Sequence, residues 1–256
     1  CQAQPDVMYV QFLSGNTSQI RKSTDRGITW TNLTLPQNQR YLFFSVDQEN
    51  PDVIYLAYSY GSNGNKVYKT TNGGSSWNNI TTADLDGTII YHIVTQAGTN
   101  GGVYISCYQD GVFYKNNAMV SWEPYTSGLP LALEPLRMIP FYKHEKIRLG
   151  TKNMSIWEAS LYEASNTIAN FSANFKEYRC PGDTVYFVDH SVATASATYQ
   201  WSFPGGIPAS STLKNPKVIY TAAGTYDVTL IVTDIYGTDT ITKTGFIQAQ
   251  PNDPAP

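Results

Sequence analysis

The sequence predicts an all-β chain built from two modules, and three observations carry that prediction. Rings are abundant: Phe, Trp and Tyr make up 13% of the 256 residues against 14% charged residues, and there are 19 tyrosines. Such a composition suits pleated, half-buried surfaces better than helices. Apolar or alternating runs of four to seven residues are separated by Gly, Asn or Pro along the whole chain, which is the pattern of short strands and turns. Finally, two unrelated landmarks recur at nearly one spacing in the first half, the mark of internal repetition.

The first landmark is "PDVMYV" (Pro5 to Val10), which returns as "PDVIYL" (Pro51 to Leu56), 46 residues on. The second is "STDRGITW", ending at Trp30, which returns as "TTNGGSSW" ending at Trp77, 47 residues on. A third, decayed copy pairs "GGVYISCY" with "YKNNAMVSW", whose tryptophan is Trp122. A fourth, "KIRLGTKNMSIWEASLY" (Lys146 to Tyr162), keeps strand, turn and tryptophan without the "STDRGITW" pattern. One full repeat contains "YLFFSV", "DVIYLAY", "KVYKTT" and "SWNNIT". Four short strands in about 45 residues make a blade of a β-propeller. A single such sheet cannot bury both faces, so blades must stack and cover one another.

Ser23-Thr24-Asp25-Arg26-Gly27-Ile28-Thr29-Trp30 resembles the Asp-box, or bacterial neuraminidase repeat, S-x-D-x-G-x-T-W. Thr70 to Trp77 resembles the same box, with Asn72 in the aspartate place, Gly74 for the glycine and Ser76 for the threonine. The resemblance implies a propeller fold, which sialidases, xyloglucanase-type glycosidases and sortilin-like receptors share, and leaves activity open. For Asp25 the residues favour a structural role. Calcium asks for six to eight oxygen ligands, and only Arg26, Gly27, Ile28 and Thr29 adjoin. A turn aspartate instead accepts bonds from its own backbone, Gly27 supplies a positive φ, and the amide at Asn72 can accept the same bonds without charge. On this reading Thr29 begins the outermost strand and Trp30 packs on the neighbouring sheet.

Residues 1–163 therefore hold about three and a half four-stranded blades, a partial β-propeller entered in mid-blade, and further blades of the same parent protein are expected upstream. Lipidation of Cys1 is set aside on the same ground. Residues 164–168 are expected to be a linker, and 250–256 a second one. Between them, residues 169–249 alternate in short runs with sandwich-like turn spacing. Tyr199-Gln200-Trp201-Ser202-Phe203, Asn215-Pro216, Tyr220, Gly224-Thr225-Tyr226-Asp227-Val228 and "TLIVTD" resemble the PKD repeat, an immunoglobulin-like β-sandwich. In the common PKD pattern the tryptophan is followed by "DFGDG"; "SFPGG" (Ser202 to Gly206) lacks both carboxylates, so no cation site is expected there. The "WSFPGG.PA" variant resembles secreted multidomain proteins of Bacteroidetes-type bacteria with their own secretion route, type IX, and implies an extracellular or cell-surface location. Asp183-Thr184-Val185 and Asp239-Thr240-Ile241 resemble the short O-glycosylation pattern of such bacteria.

Several function classes are excluded or disfavoured by composition and motif. A net charge of −3 offers no basic field for nucleic acid or anionic lipid. No apolar run reaches the length of a membrane helix. Cys1, Cys107 and Cys180 match neither a metal site nor a disulfide framework, and Cys107 in "VYISCYQ" reads as a small core residue. His92, His144 and His190 stand apart in sequence, and no helical zinc motif, nucleophile elbow or phosphate-cradling glycine loop is present. No metal, cofactor or catalytic residue is expected. Glycosidase chemistry needs two carboxylates about 5–10 Å apart, whereas Asp84, Asp86, Asp110, Glu123, Glu145 and Glu158 carry no such context.

Tyrosines supply the remaining hint of function. Tyr58, Tyr60, Tyr108 and Tyr114, with Tyr125 and Tyr142, fall near strand ends or loops, where flat rings can stack on sugars. The expected role is a non-catalytic segment of an exported surface protein, binding a glycan or protein ligand or displaying other modules. The competing expectation is part of a secreted glycoside hydrolase or peptidase whose catalytic residues lie outside this chain.

Overall fold

The computed structural model describes residues 4, 6–125, 128–129, 134–152, 155–174, 177–178 and 182–250. Cys1, Cys180 and Asn153 lie outside them, so neither the lipidation question at Cys1 nor the third cysteine is addressed. The chain divides into two units, Cys1–Phe141 with Glu145–Ala164, and Tyr142–His144 with Ser165–Pro256.

The first unit is a series of four antiparallel sheets whose strands follow one another in sequence order. The first holds β1 (Met8–Ser14), β2 (Thr17–Ser23) and β3 (Thr31–Asn32). The second holds β4 (Leu42–Val46), β5 (Ile54–Tyr58), β6 (Val67–Thr70) and β7 (Asn78–Asn79). The third holds β8 (Ile90–Gln96), β9 (Gly102–Cys107), β10 (Gly111–Lys115) and β11 (Glu123–Pro124). The fourth holds β12 (Pro135–Phe141), β13 (Lys146–Thr151) and β14 (Ile156–Ser160). Sheets of three, four, four and three strands are the partial propeller of about three and a half blades.

Side-chain alternation explains why the blades stack. In β5, Ile54, Leu56 and Tyr58 point to one face and pack with Ile20 and Leu42, while Tyr55 and Ala57 point to the other and pack with Ile90, Ile93, Val103 and Ile105. A third core joins Tyr104, Val112 and Tyr114 of the third blade to Met138, Ile147 and Leu149 of the fourth. Each fully buried side chain of this size contributes roughly 1.5–3 kcal/mol, so each blade is held from both sides. The first blade is the exception. Met8 and Val10 occupy the repeat positions of Ile54 and Leu56, yet they are 43% and 41% exposed where those two are at 0%.

The second unit runs β15 (Phe171–Ala173), β16 (Glu177–Tyr178), β17 (Thr184–Asp189), β18 (Thr198–Ser202), β19 (Gly206–Ile207), β20 (Ser210–Ser211), β21 (Lys217–Tyr220), β22 (Gly224–Asp234) and β23 (Gly237–Ala249). They form two sheets, β15-β17-β21-β19 and β16-β23-β22-β18-β20. The core between them is aromatic: Phe171, Phe187, Trp201, Phe203, Tyr220 and Phe246, closed by Val218, Val228, Leu230 and Val232. The Trp201 indole N–H donates to the Leu213 carbonyl at 2.9 Å. The expected linker 164–168 is not free chain at its end. Ile168 bridges Val192, and the Thr167 hydroxyl donates to Asp234, which also accepts the N–H groups of Thr194 and Tyr236 at 2.8 Å each. Burial pushes the Asp234 carboxyl up, but these donors outweigh it and hold it below its ordinary value.

Candidate functional site: turns, tryptophans and a row of tyrosines

The turn Ser23–Trp30 is organised around one carboxylate. Asp25 Oδ1 accepts the Thr29 N–H at 2.8 Å and the Ser23 hydroxyl at 2.7 Å, while Oδ2 accepts the Thr29 hydroxyl at 2.5 Å. Ser23 Oγ in turn accepts the N–H of Gly27, whose φ is +88°. Led by the Thr29 hydroxyl and its N–H, these bonds hold the Asp25 carboxyl at about 2, below an ordinary 3.8. The second turn keeps this geometry with the polarity of one bond reversed. Asn72 Oδ1 accepts the Ser76 N–H at 2.9 Å and the Thr70 hydroxyl at 2.8 Å, but Asn72 Nδ2 donates to Ser76 Oγ at 2.8 Å. Gly74 donates to Thr70 Oγ1 at 3.1 Å. Every carboxylate and amide lone pair described here serves its own turn.

The tryptophans behave differently from one another. Trp77 Nε1 donates to the Thr34 carbonyl of the preceding blade at 2.8 Å, and Trp122 Nε1 to that of Ile80 at 2.9 Å. Trp30 does not pack on a neighbouring sheet as its repeat position suggests: its Nε1 donates to Gly27 of its own turn at 2.9 Å. Among the described residues no blade lies behind the first one to supply the carbonyl. The outermost strand also starts later than expected, at Thr31 rather than Thr29, because Thr29 is tied to Asp25.

Two of the tyrosines expected to stack on ligand are core residues. Tyr58 and Tyr114 are both 0% exposed. Tyr58 shares the face of Ile54 and Leu56, and its hydroxyl donates to the Gln37 carbonyl at 3.2 Å; burial pushes it up to about 12. Tyr114 shares the face of Val112, stacks on Tyr162 at 4.2 Å, and donates to Glu163 Oε1 at 2.7 Å. Burial first, and then Glu163, raise it far above a free tyrosine. The Tyr125 hydroxyl is likewise spent, on the Ser160 carbonyl, and Tyr142 opens the 3-10 turn Tyr142–His144.

Tyr60 and Tyr108 belong to a different population. In the first unit, Tyr9, Tyr55, Tyr58, Tyr68, Tyr104, Tyr114, Tyr125 and Tyr162 each donate their hydroxyl to a protein acceptor. Tyr41, Tyr60, Tyr91 and Tyr108 are the remaining four, and their hydroxyls bond to none of the described residues. These four sit together. A backbone bond repeated in each blade closes the start of the innermost strand onto the end of the next: Ser59 N–H to Tyr41 O at 3.0 Å, Tyr108 N–H to Ile89 O at 2.8 Å, Lys152 N–H to Glu134 O at 3.0 Å. A further bond, Ile90 N–H to Ser59 O at 3.2 Å, ties the second blade to the third at that level. Tyr41 and Tyr60 meet edge to face at 5.6 Å, and Tyr91 stacks on Tyr108 at 5.7 Å. In the fourth blade the same place holds the ion pair Lys152–Glu134, at 3.1 Å. Sequence reasoning missed Tyr41 and Tyr91; their signal was the position just outside or at the start of the innermost strand in successive repeats.

The other titratable groups are absorbed by structure. His92, in β8, is held down to about 4 by burial and by Arg137, and its Nδ1 accepts the Met138 N–H at 3.3 Å. Cys107 is buried, and burial pushes its thiol up to about 12. Lys66 is 2% exposed and donates to the Gly61 and Thr88 carbonyls at 2.7 Å each. Asp86 accepts the Gly64 N–H, and Glu158 pairs with Arg148. Among the described residues no group of three or more His, Cys, Asp and Glu converges on a metal-sized space.

Four stacked antiparallel blades followed by an immunoglobulin-like sandwich define an all-β two-module chain of the extracellular type. Residues 168–248 match the PKD domain, and through this segment the chain belongs to the PKD-domain proteins. The PKD1 domain of Vibrio anguillarum Epp is 30% identical, with 99% of that domain and 34% of this chain covered and a TM-score of 0.27. PorZ, described as an essential surface component of the type-IX secretion system of Porphyromonas gingivalis, is 12% identical over 94% of this chain, with a TM-score of 0.46. The chain covers 38% of that protein's length. YCF48 from Cyanidioschyzon merolae is 12% identical over 91% of this chain and 81% of its own, with a TM-score of 0.39. Among curated proteins none matches. No helix is long and apolar enough to cross a membrane among the described residues.

Proposed function

We propose that the chain is a non-catalytic binding segment of an exported bacterial surface protein, in which the blades carry the contact surface and the PKD sandwich sets its distance from the rest of the parent protein. The observation that carries this reading is the row Tyr41, Tyr60, Tyr91 and Tyr108. Tyrosine hydroxyls elsewhere in the unit are all engaged, so four free ones on half-exposed or exposed rings in one place are a surface prepared for a partner. Tyr41 and Tyr60 are 52% and 57% exposed, which large rings rarely are without a use. The "WSFPGG.PA" stretch supports a Bacteroidetes-type host and export by a type IX route.

Cell-surface display tests the reading. Displayed on a host that does not adhere to a glycan- and protein-coated matrix, the chain is expected to confer adherence. The double variant Tyr60→Ala/Tyr108→Ala is expected to lose it at unchanged display level and melting temperature. Adherence that survives in the double variant refutes the row as the contact surface.

A further inference from the structure

We infer that the row of Tyr41, Tyr60, Tyr91 and Tyr108 binds a neutral glycan chain with flat sugar faces, one sugar stacking on each ring pair. The inference rests on the binding reading above and names its ligand class. Three features separate a neutral glycan from the alternatives.

The first is the backbone. A peptide adding to a sheet needs unpaired strand N–H and C=O groups, but here the Tyr41 and Ile89 carbonyls and the Ser59, Ile90 and Tyr108 N–H groups are already bonded to each other. The second is charge. A polyanion needs free cations, whereas Lys152 is paired with Glu134 and Arg40 donates to Asn16 Oδ1 at 3.0 Å while lying over the Tyr41 ring at 5.6 Å. The third is the surface itself. It offers aromatic faces ringed by free hydroxyls and no aliphatic pocket, so it lacks the hydrophobic anchor site a helical or leucine-rich peptide would fill. A pyranose with equatorial hydroxyls presents C–H groups on its faces and hydroxyls around its rim. The C–H faces meet the negative faces of the rings, and the rim hydroxyls meet the tyrosine O–H groups, each of which both donates and accepts. Two ring pairs on consecutive blades give two subsites, so a chain should bind better than a single sugar.

Isothermal titration calorimetry on the full 256-residue chain tests this. The probes are hexasaccharides of β-1,4-glucan, β-1,4-mannan and β-1,4-xylan, with oligogalacturonate as the acidic control and a random octapeptide pool as the peptide control. At least one neutral hexasaccharide is expected to bind, its monosaccharide far more weakly. Tyr60→Ala and Tyr108→Ala are expected to weaken binding about tenfold each, and Tyr60→Phe less, since it keeps the face and loses the hydroxyl. A Lys152→Ala variant should leave affinity unchanged. Binding of the acidic oligomer or of peptide alone, lost in the tyrosine variants, overturns the glycan assignment and leaves the row standing as a contact surface. Glycan binding indifferent to all the tyrosine variants overturns both, as does the absence of any binding by folded protein.

Discussion

Trp77 donates its indole N–H to the carbonyl of Thr34, a residue of the preceding blade 43 positions earlier. Trp122 repeats the bond with Ile80, and Trp30 alone turns back on its own loop. The three indoles are therefore not equivalent, although their sequence contexts are nearly so. Tryptophan-to-phenylalanine changes should rank accordingly in denaturant unfolding. Trp122 is 1% exposed, so Trp122→Phe strands a carbonyl and should cost about 1–3 kcal/mol. Trp77→Phe should cost less, and Trp30→Phe about 0.5 kcal/mol or less. Equal losses at all three positions would contradict the blade-to-blade role.

The Asp25 turn gives a prediction in pH. Its carboxyl is held at about 2 in the folded chain, below its ordinary 3.8, so the folded state binds the proton less readily than the unfolded state does. The stabilisation is full above the ordinary carboxyl range and is lost as pH falls toward 2. Carboxyl carbon shifts followed by NMR should place the Asp25 midpoint near 2. Asp25→Asn should remove this acid limb with little loss of melting temperature at neutral pH, because Asn72 already fills the same role, whereas Asp25→Ala should lower it.

At the alkaline end the sign reverses. Burial holds Tyr58 and Cys107 protonated up to about 12, against ordinary values of 10.0 and 9.0. The unfolded chain releases these protons earlier, so stability present below pH 9 should fall steadily between about pH 9 and 12. Tyr58→Phe and Cys107→Ala should flatten that decline in melting temperature measured against pH. An unchanged slope in the double variant would sink the assignment.

In the PKD domain, Gly205 has φ +76°, and a Cβ there would lie 2.3 Å from the Tyr226 ring. Gly205→Ala combines a left-handed backbone with a clash and should destabilise the sandwich by about 2 kcal/mol or more. Gly182→Ala, where φ is +107° but nothing lies within 4 Å, should cost less. Calorimetric unfolding of the second transition would report both.

Much of this fold is legible in the sequence because its rules are local. Alternation in "DVIYLAY" places Ile54, Leu56 and Tyr58 on one face, and Gly or Asn ends each run, so strands and period could be read directly. The same alternation held the answer for Tyr58 and Tyr114, which share parity with Leu56 and Val112. Their nearness to strand ends obscured it. What could not be read locally was the destination of a side chain across blades. Whether Trp30 or Trp77 meets a neighbouring carbonyl depends on a sheet more than 40 residues away in sequence, and the row Tyr41, Tyr60, Tyr91 and Tyr108 exists only after two blades are stacked. Hydroxyl satisfaction, which singles these four out, is a tertiary property.

Tyrosine nitration with peptide mapping tests the central claim most directly. The folded chain, treated alone and with a saturating neutral hexasaccharide, should be nitrated at Tyr41, Tyr60, Tyr91 and Tyr108 when free and protected at those four when bound, with Tyr58 and Tyr114 unmodified in both. Nitration of Tyr58 or Tyr114 ahead of the row, or a bound sugar that leaves the four rings as reactive as before, would contradict it.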